Sequence, residues 1–383
     1  MRTLFWLSIW TTAYTWFGYF LLLRLFKGTK YQETISPAYV QDVTLVIAAF
    51  NEEKVIQTKL DNLLGQTYGK SRFDILVASD GSTDRTDEIV EAASKEDDRI
   101  SLFKAEGLGK SATQNAAIPV AKGDIIVLTD AETRFAPDAM KNLVRRFSDP
   151  GVGCVSGRLV PGSIEGSVAE SQGLYWRFEM ALRRMESAIG LLHTATGGIM
   201  AFRKELFRPF DPKYGDDCMI PLDIAEKGYR IVHEDKALAY DSFPSSIGGE
   251  LRARTRMTLR NLTCTLSKHR LLNPFKHPGL CWAMVSHKLL RWLTPFFLLI
   301  AFISNVILFN EGSLYFFTGF AQLAFYFFGL VGLFGEMLKL KIPIASQIFS
   351  FLLANAGFLM GVLKAVCGRH ITAYRNAKPC HGS

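Results

Sequence analysis

Apolar residues follow two different rhythms along this chain. Toward the ends they form long uncharged stretches: residues 3–23, 292–310, 312–335 and 342–363 contain no charged side chain. Each reaches the roughly 18–20 residues that a helix needs to cross a hydrocarbon core about 30 Å thick. Burial in an ordinary core is the competing reading of the last three, but their length, phenylalanine content and polar flanks argue against it. The first stretch has the length of a signal peptide too. Its long apolar part, the lack of a small-x-small cleavage site, and Arg24, Lys27 and Lys30 beyond it identify a retained anchor.

In between, short apolar runs alternate with helical spacing. "VTLVIAA" (Val43–Ala49) and "FDILVAS" (Phe73–Ser79) are nearly continuous apolar runs, as expected of strands buried on both faces. "RISLFKA", "DIIVLT" and "GVGCVSGRLV" read as further strands. "EEKVIQTKLDNLLGQ" has Val55, Ile56, Leu60, Leu63 and Leu64 on one side of a helix. Further helices are expected after "DGSTDRT", from "GKSATQNAAIPVAK", and from Pro137, whose fixed φ suits a first helical turn. Strands alternating with helices predict an α/β fold, a mainly parallel sheet with helices on both faces. Ligands of such sheets lie at the carboxyl ends of the strands. Those ends carry Phe50-Asn51-Glu52, Asp80-Gly81-Ser82 and Asp130-Ala131-Glu132.

Charge fixes the expected orientation. Lys and Arg follow the first stretch and precede the second, which places both flanks of the polar segment on the cytosolic side. A full crossing by residues 342–363 puts Arg369, Arg375 and Lys378 outside, against that rule; the alternative is a re-entrant or interfacial segment, consistent with Asn355, Gly357 and Gly361. The six cysteines show no CxxC or metal-ligand spacing, so neither a zinc site nor a disulfide framework is indicated. From residue 251 to 291 there are nine Lys/Arg and no acid. A membrane-surface helix explains Lys268 to Arg291. For Arg252, Arg254 and Arg256 a phosphate-neutralising role competes.

Candidate chemistry concentrates at the strand tips. Asp130 and Glu132 suit either capping or a divalent cation, because Mg²⁺ takes one or two carboxylates together with substrate phosphates. Asp80 belongs to a turn, yet its carboxylate at the ligand edge suits a nucleobase N–H. "GLGKSATQNAA" opens a helix with Lys110 facing a possible phosphate, but it lacks the P-loop spacing. "GDDCMIPLDIAEKGY" begins with Asp216 and Asp217, ordinary acids for a helix start that also suit a general base.

In this order, "VIAAFNEE", "VASDGSTDRT", "GLGKSATQNAA", "LTDAET" and "GDDCMIPLDIAEKGYRIVHE" resemble the family 2 glycosyltransferases with their GT-A nucleotide-sugar domain, over roughly residues 42–260. The resemblance implies donor contacts from Phe50, Asn51, Glu52, Asp80, Gly81, Lys110, Asn115 and Ala131. It implies Mg²⁺ or Mn²⁺ at Asp130 and Glu132, and an acceptor side built from Gly197, Gly198 and Asp216. Asp217 is implied as the base of an inverting displacement, and Arg252, Arg254 and Arg256 as neighbours of the leaving diphosphate. The implied division is a transmembrane helix (1–26), a GT-A domain (27–250), a basic interfacial region (251–291), a membrane region of two to three spans (292–366) and a basic tail (367–383). The implied partners are a nucleotide-sugar, by the family pattern a UDP-sugar, a lipid-linked or glycan acceptor, and the inner membrane with the catalytic domain in the cytosol; no nucleic acid is implied.

This chain departs from the family pattern in three places. Glu132 replaces the second Asp of the metal motif, Asp216 replaces the Glu before the base, and no Trp completes a Gln-x-x-Arg-Trp motif between Arg252 and Trp282. The last departure favours single transfer over a processive polysaccharide synthase. A sugar-1-phosphate nucleotidyltransferase fits poorly, since "AAFNEEKV" has no glycine. A non-catalytic membrane scaffold predicts that the acids are dispensable.

Overall fold

The computed structural model describes residues 1–26, 35–36, 38–161, 167–241, 246–340 and 342–369, with backbone only at 161 and 167–175. Lys27, Lys30, Arg375 and Lys378, named above, together with Cys380, one of the six cysteines, and the expected tail beyond residue 369, lie outside the described residues.

The chain begins with helix α1 (Arg2–Ala13), a π-helical turn (Tyr14–Gly18) and α2 (Tyr19–Leu25). The catalytic-type unit then runs β1 (Val43–Ala49), α3 (Ile56–Leu64), β2 (Phe73–Ser79), α4 (Thr86–Glu96), β3 (Ile100–Lys104), α5 (Lys110–Val120), β4 (Ile125–Asp130), β5 (Arg134–Phe135), α6 (Ala139–Val144), β6 (Val152–Pro161), α7 (Ser167–Ala188), β7 (Met200–Arg203), α8 (Asp216–Glu226) and β8 (Arg230–Asp241). It is followed by α9 (Ile247–Ser267), α10 (Pro278–Ala283), a second π-helical turn (Met284–Leu289), α11 (Leu290–Leu308), α12 (Ser313–Met337) and α13 (Pro343–Val366).

The sheet order is β3-β2-β1-β4-β7-β6-β8-β5. From β3 to β4 all neighbours are parallel. Beyond β4 the sheet becomes mixed: β7 is antiparallel to both β4 and β6, and β5 is antiparallel to β8. The period-2 geometry of β1 explains its apolar run. Val43, Leu45 and Ile47 face a layer containing Ile56, Leu60 and Leu63 of α3, while Val46 faces a layer containing Ala117 and Ile118 of α5 and Ile220 of α8. Burying a side chain such as Leu60 contributes about 1.5–3 kcal/mol.

Three helical segments, Pro278–Leu308, Ser313–Met337 and Pro343–Val366, are long and apolar enough to cross a membrane. The first of these packs beside the N-terminal helix, where Phe5 meets Leu308 and Tyr315. α13 packs against α9, an approach that depends on two glycines. A Cβ on Gly357 would stand 2.5 Å from the Cβ of Arg254, and one on Gly361 2.6 Å from that of Thr258. The basic helix α9 therefore lies between the sheet unit and the apolar bundle. α6 starts at Ala139 rather than at Pro137, because Asp138 occupies the N-cap position and Ala139 N–H bonds to Ala136 O.

Candidate active site

Parallel register brings three strand tips to one edge. Ala49 pairs with Ser79, and Ala48 with Asp130, so the segments after β1 and β2 and the end of β4 share a crevice. The turn after β1 is stitched to the one after β2. Asn51 takes the left-handed conformation (φ 55), which Asn tolerates better than most residues. Its side-chain oxygen accepts from Thr83 N–H at 2.8 Å, and Glu52 N–H donates to Thr86 Oγ1 at 2.8 Å. Phe50 and Glu52 are half-buried beside it.

Asp80 is buried. Its two oxygens accept from Gly109 N–H at 3.1 and 3.0 Å, and one accepts from Thr113 Oγ1 at 2.8 Å. The carboxylate thereby anchors the start of α5, and Gly81 lies directly against Gly107. Asn115 places both ends of its amide on the backbone of Phe210. Ala131 is buried behind the Asp130 turn.

Lys110, the first residue of α5, joins the acids of two elements. Its Nζ lies 2.7 Å from Asp130 Oδ1 and 3.3 Å from Asp216 Oδ2. Asp216 also accepts from Gln114 Nε2 at 3.0 Å. The turn at Gly197 and Gly198 closes the third side. A Cβ on Gly198 would stand 3.7 Å from Asp130 Oδ2, and one on Gly197 3.6 Å from the Asp217 Cβ. Gly215 leaves room for the acid pair, since a Cβ there would fall 2.6 Å from Asp217 Oδ1.

These surroundings drive the two neighbouring acids apart. Burial, then the charge of Asp216, push the Asp217 carboxyl above its ordinary value. Burial pushes Asp216 the same way, but Lys110, the Gln114 hydrogen bond and Arg260 outweigh it and hold Asp216 low. Two carboxyls separated in this way take different roles: a fixed anion and a proton acceptor.

The Asp130 turn fits a divalent cation. The Asp130 side chain is 40% exposed, Glu132 is exposed, and the donor set is all oxygen. Among the described residues no cage of three or more His, Cys, Asp or Glu exists. Mg²⁺ and its analogues need none when substrate phosphates complete the shell.

The sequence reading missed two cations of this site. Lys59 of α3 is 1% exposed and reaches beneath the turn, donating to Thr129 Oγ1 at 2.8 Å and to Thr133 O. Its Nζ also lies 4.5 Å from the Phe135 ring centroid. Burial pushes its pKa down to about 7, against the pull of Asp130 and Asp241. The signal was present: Lys59 stands three residues after Ile56 and four before Leu63, on the apolar stripe. Arg260 of α9 had no such signal. Its Nη2 donates to Ser111 Oγ at 2.8 Å and to Tyr214 O, tying α9 to the start of α5 and to the loop before Asp216. The three arginines expected near a leaving group lie one to two turns earlier on α9. Arg254 pairs with Glu250 at 2.6 Å against α13, Arg252 is exposed and Arg256 half-buried.

Residues 44–210 match the family model described as Glycosyl transferase family 2. The poly-beta-1,6-N-acetyl-D-glucosamine synthase of Staphylococcus aureus (strain COL) is 29% identical over 227 residues, 57% of this chain and 54% of that protein. The protein of that name from Staphylococcus epidermidis is 28% identical over 227 residues, again 57% of this chain and 54% of that one. The chain spans about half the length (54%) of these curated relatives. Among solved structures, a mannosyltransferase, PcManGT from Pyrobaculum calidifontis in complex with GDP-Man and Mn²⁺, has a TM-score of 0.75 at 24% identity, covering 96% of this chain and 99% of that one. This likeness shows the GT-A fold.

Proposed function

We propose that this chain, whose residues 44–210 are a family 2 glycosyl transferase domain, moves a sugar from a nucleotide-sugar to a hydroxyl of a lipid-linked or polysaccharide-precursor acceptor, inverting the anomeric carbon. The observation that carries the reading is the divided acid pair. Asp217, with its raised pKa, stands beside the Gly197 turn, while Lys110 joins Asp216 to the Asp130 edge.

In this reading Asp217 takes the proton from the attacking hydroxyl. Asp216 stays ionised and holds Lys110 and Gln114 in place. Lys110, with its ammonium at the phosphate edge, balances charge on the departing diphosphate. Mg²⁺ or Mn²⁺ at Asp130 and Glu132, when bound, would supply Lewis-acid stabilisation of that same charge. The turn after β1 and the Asp80 loop shape the nucleotide crevice. The apolar helices would hold the site at the cytosolic face of the inner membrane, beside a lipid-borne acceptor, which raises its effective concentration.

The processive alternative draws support from the names of the staphylococcal relatives, polymer synthases by their description. The missing Trp after Arg256 supports single transfer instead. The test is a screen of UDP- and GDP-sugars with Mg²⁺ and Mn²⁺ on the full chain in nanodiscs, using a polyprenyl-diphosphate-linked N-acetylglucosamine and an N-acetylglucosamine oligomer as hydroxyl acceptors. Metal-dependent donor turnover is expected. Silence across the panel would overturn the reading, and long polymer from one binding event would replace single transfer with processive synthesis.

Lys59→Met tests the buried clamp beneath the metal turn. Removing this donor leaves the buried Thr133 carbonyl and Thr129 hydroxyl without it, a cost of about 1–3 kcal/mol. The thermal midpoint should therefore fall by several degrees, while the specific activity of the folded protein falls about 10²-fold because the acids above the clamp lose their exact placement. A large loss of stability with unchanged specific activity would assign Lys59 to the core alone.

A further inference from the structure

A second buried ionic cluster lies outside the acid site, where α7 meets the membrane helices. Glu179 of α7 is 3% exposed and accepts from three groups of the segment Pro278–Leu308. These are His287 Nε2 at 3.0 Å, Lys288 Nζ at 2.8 Å and Arg291 Nη1 at 2.6 Å. His287 also faces Glu186 Oε1 through Nδ1 at 2.8 Å, so both of its ring nitrogens lie against carboxyl groups of α7. Glu186 accepts in addition from Tyr19 of α2 at 2.7 Å. Taking so many charges out of water is costly unless each is paired, and removing one partner leaves the others exposed to that cost.

One member of the cluster points elsewhere. Arg183, 7% exposed, donates from Nε to Glu179 Oε1 at 3.1 Å and from Nη1 to Thr196 Oγ1 at 2.9 Å. Thr196 immediately precedes Gly197, and its N–H donates to Ser156 Oγ of β6 at 3.1 Å. The neighbouring Ala195 N–H donates to the backbone oxygen of Asp217 at 3.0 Å. A continuous line of hydrogen bonds thus runs from the membrane helix through Glu179 and Arg183 to the turn beside the proposed base.

We propose that Arg183 is a positioning residue: anchored by Glu179 to the membrane helix, it holds the turn at residues 195–198 at the height where an acceptor hydroxyl meets Asp217. This rests on the glycosyl-transfer reading for the meaning of the turn, but the linkage itself is independent of it. A lipid-borne acceptor is fixed in depth by the bilayer. A turn tied to a membrane helix keeps the site at that depth, whereas the donor-side tips after β1 and β2 are held by their own hydrogen bonds, Asn51 to Thr83 and Asp80 to Gly109 and Thr113.

The test compares Arg183→Met, Thr196→Val and Thr196→Ser in nanodiscs with the unmodified chain. Thr196→Val changes no volume to speak of and removes the hydroxyl that accepts from Arg183 Nη1 at 2.9 Å and from Ser156 Oγ at 3.3 Å. A hydrogen bond to a charged group corresponds to roughly a tenfold or larger effect. Arg183→Met and Thr196→Val should raise the KM for the polyprenyl-diphosphate-linked N-acetylglucosamine, or for the N-acetylglucosamine oligomer, about tenfold, with donor KM within about twofold. Thr196→Ser should stay close to the unmodified chain. Amide exchange should quicken at residues 195–198 in Arg183→Met and not across the sheet. Equal shifts in donor and acceptor KM, no shift at all, or exchange quickened evenly through the domain would overturn the proposal. Absence of donor turnover in the unmodified chain would overturn the transfer reading instead, and the exchange result alone would then decide whether Arg183 holds the turn.

Discussion

Asp217→Asn is expected to leave the fold and nucleotide binding intact and to lower transfer about 10²- to 10⁴-fold, the usual contribution of a positioned general base. The substitution keeps size and shape, and the backbone oxygen at position 217 still accepts from Ala195 N–H. Only the proton acceptor is lost. The pH profile gives a second readout. A base works ionised, so activity falls as pH drops through its pKa. Burial and the Asp216 charge raise that pKa, which places the acidic limb above the ordinary carboxylate range. Asp216→Asn removes the repelling charge and should move the limb to lower pH. Movement to higher pH would show that Asp216 acts on Asp217 in some other way.

Asp130→Ala is expected to remove the dependence of transfer on Mg²⁺ or Mn²⁺ by removing transfer itself, a loss of about 10²-fold or more. Asp130 is the last residue of β4, a strand buried along its length, so the carboxylate is carried on a rigid support. The substitution also removes the 2.7 Å contact of Lys110 with Asp130 and keeps its contact with Asp216. Calorimetry should therefore show weak Mn²⁺ binding in the presence of nucleoside diphosphate, with the nucleotide itself still bound. Unchanged Mn²⁺ affinity would place the cation elsewhere.

Much of this arrangement was legible in the sequence, and the reason is physical. β1 and β2 are buried on both faces, so their apolar runs mark their ends, Val43–Ala49 and Phe73–Ser79. Polar residues that follow such runs must lie at the ligand edge. That argument located Asp80 and Asp130. The change to a mixed sheet beyond β4 was not legible, because β7 spans only Met200–Arg203 and its short apolar run carries no direction. Asn115 shows a different limit. An amide at the start of a helix reads equally well as a ligand contact and as an anchor, and here both of its ends hold the backbone of Phe210.

The basic stretch after the sheet unit illustrates the same point. For Arg252, Arg254 and Arg256, charge alone left a phosphate role competing with a helix on lipid headgroups. α9, which carries them, packs one side on α13 through Gly357 and Gly361 and sends Arg260 from another side to Ser111. Charge patterning reports which residues stay hydrated or paired, but not which of several arginines on one helix reaches a partner 149 residues away in the chain. Arg183 was hidden for a related reason, and Lys59 showed only its place on the apolar stripe: the partners of these buried cations, Thr196 for one and Thr129 and Thr133 for the other, come from other segments.

The most direct measurement is the anomeric configuration of the product formed from an α-linked nucleotide-sugar, read by NMR for the unmodified chain and for Asp217→Asn. The expected result is a β-linked product made only with Mg²⁺ or Mn²⁺ present, and none from Asp217→Asn. An α-linked product, or undiminished transfer by Asp217→Asn, would contradict the account.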